Sequence, residues 1–185
     1  MPVYRRTIWR CNEKYKGGKP CQAPHLNEDD IKQRFLAAFN VLMAGRDELL
    51  ANCRLAQQVL CDCTAIDEEL AKLHQEIEVV AELTRKSIYE NAHVAVNQDE
   101  FNERHSGYME RHQMATEQVA GLETLRNTRR EKHKTLEAFI RDIETRPVII
   151  DEFDEKLWLA IIDKVTVLPE GRLVFTFKDG TDIKA

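Results

Sequence analysis

"VNQDEF", residues 96–101, is a short polar interruption between two long runs of helix-forming sequence. Upstream, Arg46 to about Val96 reads as one long helical pattern. From Ile66 its seam steps by four and three through Leu70, Leu73, Ile77 and Val80, then through Thr84, Ser87, Asn91 and Val94. The seam starts apolar and turns polar. Downstream, a seven-residue repeat runs Phe101, Tyr108, Ala115, Leu122, Arg129, Leu136, Ile143. Asn97 or Asp99 can cap the second helix. Two heptad arms of similar length around a polar break predict an antiparallel coiled-coil hairpin. Arms of about 46 residues would reach on the order of 70 Å at 1.5 Å per residue. The alternative is one unbroken helix in an intermolecular coil. The polar end of the seam is the weak part, so the tip is expected to be mobile or to bind a partner.

Before these arms, Leu26 to Ala44 reads as a first helix. Asn27 is its N-cap, Asp29 and Asp30 complement the dipole in its first turn, and Gly45 ends it. Ile31, Phe35, Leu36, Phe39 and Leu42 form one apolar stripe. Pro147 stops the second arm. "IIDEFDEKLWLAIIDKV", from residue 149, reads as an amphipathic helix with Phe153, Leu157, Trp158, Ile161 and Ile162 on one side. A strand, a Pro-Glu-Gly turn and a strand carrying Leu173, Phe175 and Phe177 follow, then a Lys-Asp-Gly turn. A lone hairpin is marginal in water, and the extended stretch Thr7 to Arg10 is the expected packing partner. Three regions result: residues 1–45, the coiled coil 46–146 with its turn near 96–100, and 147–185 packing back on the first. The fold class expected is mainly α: a long antiparallel coiled-coil hairpin inserted in a small α+β, zinc-ribbon-like head with a C-terminal β-hairpin.

Composition agrees with long helices: charged residues are 32%, aromatics 7%, with seven Gly and five Pro. No apolar run approaches a membrane span and no signal-peptide core is visible, which predicts a soluble, cytoplasmic protein. Five irregularly spaced cysteines suit a reducing compartment and do not read as a disulfide framework. Charge is segregated. Arg5, Arg6, Arg10, Lys14, Lys16 and Lys19 against Glu13 alone put residues 1–24 at +5, so with −5 overall the remaining 161 carry −10. A basic head on an acidic body suits a polyanionic partner, and a solvated lysine loop is the plain alternative.

Cys11 and Cys21 flank a nine-residue turn containing Gly17, Gly18 and Pro20, which has the look of one zinc knuckle. Two thiolates are half of a structural zinc site. His25 is a spare ligand that also sits where a helix begins. Cys61 and Cys63, placed on a regular helix, point about 200° apart and cannot share one ion; Cys53 and Cys63 read as small apolar seam residues. His105 and His112, with His133 three heptads on, are too widely spaced for one metal and read as seam positions. The acids Asp151, Glu152, Asp154 and Glu155 charge a helix start. Ser87 and Ser106, the only serines, sit inside the coiled coil without a base beside them, and no Walker-type glycine loop occurs. No catalytic residues and no small-molecule substrate are expected.

Three stretches resemble the C-terminal part of the large serine recombinases, of the resolvase-like transposon type from bacterial mobile elements. "WRCNEKYKGGKPCQAPHLNEDDIKQRF" resembles the second half of that family's zinc β-ribbon and the helix after it. "YENAHVAVNQDEFNERHSGYMERH" is similar to its coiled-coil turn, and "EFDEKLWLAIIDKVTVLPEGRLVFTFKDGTDI" to its closing helix and hairpin. The resemblance implies that Cys11 and Cys21 match the third and fourth zinc ligands, and that an upstream Cys-x-x-Cys knuckle and the catalytic serine domain are missing. "YRRT" at residues 4–7 has Thr7 where a catalytic serine would stand and is not read as catalytic. The family implies a zinc-bound domain contacting double-stranded DNA at attachment sites, and a coiled coil controlling synapsis with itself or with full-length recombinase. Arg5, Arg6, Arg10, Lys14, Lys16 and Lys19 are then the phosphate-contacting candidates. Trp9 reads as support for the small head. The competing expectation is a coiled-coil dimerisation protein, a recombinase remnant that no longer touches DNA.

Overall fold

The structure, a computed structural model, describes residues 6–12, 21–95 and 97–185. Along the chain come β1 (Ile8–Trp9), β2 (Leu26–Asn27), α1 (Glu28–Ala44), α2 (Arg46–Leu60), α3 (Thr64–His93), α4 (Gln98–Thr145), α5 (Glu155–Ile161), β3 (Ile162–Val167), β4 (Leu173–Phe177) and β5 (Asp182–Lys184). The protein is therefore mainly helical, with one very long helix and small sheets. No helix among the described residues is long and apolar enough to cross a membrane. Two compact units form: one from Met1–Gln57 with Lys134–Ala185, the other from Gln58–His133.

The two-ended unit is built on the stripe of α1. Phe35 and Phe39 are fully buried there, and Phe35 lies 5.0 Å from the Trp158 ring, 5.7 Å from Phe153 and 6.2 Å from Phe175. Leu136, Phe139, Ile140 and Ile143 of α4 are buried as well. Polar bonds tie distant stretches of chain. The Asn40 amide donates to the Ile150 carbonyl (3.0 Å) while its oxygen accepts from the Ile150 N–H (2.9 Å). Arg34 donates to the Gly171 carbonyl at 2.7 Å. Gly171 closes the β3–β4 turn at φ +85°, and a Cβ there would stand 3.1 Å from Pro24 Cγ, so both conformation and space favour glycine.

Three expectations need correction. α5 begins at Glu155, where Asp154 accepts bonds from the Lys156 and Leu157 amides, and it ends after seven residues. The predicted helix from residue 149 is thus short, because Ile162, Val165, Thr166 and Val167 are β-branched and pair with β4 instead. The Lys-Asp-Gly turn, with Gly180 at φ +99°, leads into a third strand, giving sheet order β3-β4-β5. The first helix starts later than residue 26: Ile8 pairs with Asn27 and Trp9 with Leu26 in a separate two-stranded sheet, so Leu26 lies in β2, while Asn27 is the N-cap of α1 as expected.

In the other unit α3 and the first part of α4 lie antiparallel. The Gln98 amide bonds Asn91 Oδ1 at 2.9 Å, Arg111 pairs Glu76 at 2.6 Å and Arg126 pairs Asp67 at 3.2 Å. The hairpin turn falls between His93 and Gln98, and Asn97 Oδ1 caps α4 by accepting from the Asp99 N–H at 3.0 Å. Ile66, Leu70 and Val119 form its apolar core with Leu73, Ile77 and Leu122 packed on them. The upstream arm is not continuous: it breaks at Cys61–Cys63 into α2 and α3. Asp62 accepts from both the Thr64 N–H (2.9 Å) and the Thr64 hydroxyl (2.6 Å), a local bond that competes with the helix ladder.

Candidate functional site

Among the residues expected to meet DNA, Arg6 and Arg10 are described, both exposed and flanking β1. Arg5, Lys14, Lys16 and Lys19 lie outside the described residues. β1 is held by its pairing with β2 and by the Glu28 N–H, which donates to the Thr7 carbonyl at 3.0 Å. This places Arg6 and Arg10 on either side of a short strand whose own two side chains, Ile8 and Trp9, are exposed.

Cys11 and Cys21 are both half-buried. Among the described residues no group of three or more His, Cys, Asp or Glu side chains could hold a metal, and His25 is exposed. Two thiolates do not make a four-ligand zinc site, so the described residues fit half of one at most. Cys61 and Cys63 lie in the break between α2 and α3, not on a regular helix, so the helical spacing used to separate them does not apply. Cys63 instead directs its thiol to the carbonyls of Cys61 (3.5 Å) and Arg126 (3.9 Å). Cys53 is buried on α2, and that burial, with a smaller effect of the Asp179 charge, pushes its thiol up to about 11.

Sequence reasoning missed what surrounds Trp9. Its indole N–H reaches Glu28 at 3.4 Å, and Glu28 also pairs Lys32 at 2.8 Å. These two bonds, Lys32 first, hold the Glu28 carboxyl below its usual range. The Lys32 ammonium stands 5.2 Å over the Phe153 ring. Trp9 is 57% exposed, so it does not serve as buried support for the head. It forms one wall of a pocket of about 430 Å³ that also involves Trp158, Val165 and Val167. The signal that could have found this was the placement of Glu28 and Lys32 one turn apart on α1; nothing local links them to residues more than 120 positions later.

Of the histidines, His105 is half-buried and stacked on Phe101 with ring centroids 5.6 Å apart, and His112 is half-buried too. His133 is exposed, unlike a seam residue. No family model matches the chain, and no curated protein and no solved structure matches it either.

Proposed function

We propose that this chain is the DNA-binding and synapsis portion of a site-specific serine recombinase, non-catalytic by itself. The observation that carries this reading is one of chain order. A helical hairpin, residues 58–133, interrupts a unit made from both flanking segments, and the N-terminal segment of that unit holds the basic cluster. This is the arrangement that the resemblance of the three stretches implies. Arg6 and Arg10 contact phosphates from either side of β1, with Arg5, Lys14, Lys16 and Lys19 as the further candidates. Zinc, in this reading, uses Cys11 and Cys21 as two of its ligands.

The test is duplex binding at several salt concentrations. If the six basic candidates each neutralise one phosphate, log K falls against log salt with a slope of about −5, and Arg6→Gln with Arg10→Gln reduces that slope by about 2. Absence of binding, or affinity indifferent to salt, contradicts the proposal. The alternative, a coiled-coil interaction protein, is favoured by exposed apolar side chains on the hairpin: Ile88, Tyr89, Met109 and Met114. A tight dimer that ignores DNA at every salt concentration selects that reading.

A further inference from the structure

The pocket beside Trp9 has features that DNA contact does not use. Its floor is made by Val165 and Val167 of β3 and Leu173 of β4. Trp9, Phe153 and Trp158 form aromatic walls, and Glu28, Lys32 and Glu155 stand at its rim. A volume of about 430 Å³ with an apolar lining and a few polar groups is the usual form of a ligand site.

Two independent observations specify the occupant. The first is the sheet edge. β3 is an outer strand, bonded to β4 and, among the described residues, to no other strand. The pocket takes its floor from β3 and β4 and nothing from β5, so it lies on the side of the sheet where β3, among the described residues, has no further strand paired to it. A strand added there would stand about 4.8 Å from β3 and send alternate side chains over the floor. The second is charge. The Lys32 ammonium bonds Glu28 and also feels the charges of Asp29 and Glu155, which together hold its pKa above the usual lysine value. Of the charged residues lining the pocket, two are carboxylates, Glu28 and Glu155, against one ammonium, Lys32, so the lining is net negative. Lys32, seated over Phe153, demonstrates that these rings accept a cation.

We propose that the pocket and the unpaired edge of β3 receive an extended segment of a partner polypeptide. A lysine or arginine side chain of that segment sits against Glu155 and the aromatic walls, and an apolar side chain two residues away covers Val165 and Val167. The pocket lining contains none of the residues proposed to contact phosphate, so this inference does not rest on the DNA reading.

The chain has two tryptophans, so two indole N–H signals report directly on the walls. The intact protein is titrated with a blocked Thr-Val-Thr-Lys-Thr peptide, whose Val and Lys share one face of a strand. The comparison probes are the same peptide with Gln for Lys, and butylammonium alone. Both indole signals should move to saturation with the Lys peptide in the millimolar range, and the Gln peptide should bind about three- to fivefold more weakly. Glu155→Gln should weaken the Lys peptide by a similar factor and leave the Gln peptide unchanged. No saturable shift, equal affinity for the two peptides, or indifference to Glu155→Gln overturns the cation seat. Saturation by butylammonium at the same concentrations as the Lys peptide overturns the added strand.

Discussion

Phe35 shows how one side chain organises the two-ended unit. It is fully buried, and its ring meets Phe39, Phe153, Trp158 and Phe175, three of them more than 110 positions away in sequence. Removing it deletes apolar contact and leaves a cavity that rigid neighbours cannot fill. Phe35→Ala should cost about 3–5 kcal/mol by denaturant titration. A cost under 1 kcal/mol would mean that these rings do not close on one another. Cys53 makes a second residue-scale prediction. Its thiol is pushed up to about 11 by burial, so at neutral pH it is protonated and shielded. Iodoacetamide should modify Cys63 before Cys53, read by mass spectrometry. Because the folded value lies above the unfolded one, this thiol supports folding below about pH 9 and the contribution fades as pH rises toward 11. Early labelling of Cys53 would contradict its place in the core.

At the scale of elements, the helical hairpin has a graded seam. Bonds at its two ends, Asn91 to Gln98 and Cys63 to Arg126, agree on one register. That register places Leu70 across from Val119, Ile77 across from His112 and Thr84 across from His105. The first layer is apolar, and those nearer the turn are mixed. Ser87 Oγ and His105 Nδ1 are buried there without a hydrogen-bond partner, each a cost that an apolar side chain would avoid. Ser87→Ala should therefore stabilise the hairpin by up to about 1 kcal/mol, seen as slower amide exchange in the C-terminal half of α3. Faster exchange would show that the hydroxyl is satisfied after all. This hairpin was legible in the sequence because period and caps agree: the heptad from Phe101 to Ile143 and the Asn97 cap both survive in the fold. What was not legible were the places where local and distant forces compete. Asp62 breaks the upstream arm with a side-chain bond that periodicity does not register. Ile162 leaves α5 for β3 because β4, eleven or more residues later, offers a strand to pair with. Trp9 likewise pairs with Leu26 and not with the C-terminal sheet, a choice between two short extended stretches that propensity alone does not decide.

At the scale of the whole molecule, most of the candidate site was legible as chemistry and little of it as geometry. The basic cluster and the cysteine pair were evident from charge and spacing. The pocket was not, because its walls come from β1, α1, α5 and β3, brought together only by folding. Both proposals depend on one property of the chain: residues before position 57 and after position 134 build a single compact unit. The DNA reading needs it to present the basic segment on a folded support, and the pocket needs it to exist at all. The most direct measurement is a set of proton NMR contacts from the Phe35 ring to Trp158 and Phe175 in the intact chain. A sample mixing labelled and unlabelled protein separates contacts within one chain from those between two. The account predicts strong contacts within one molecule, consistent with centroid separations of 5.0 Å and 6.2 Å. A folded protein in which those contacts are absent, or arise only between two chains, would contradict it.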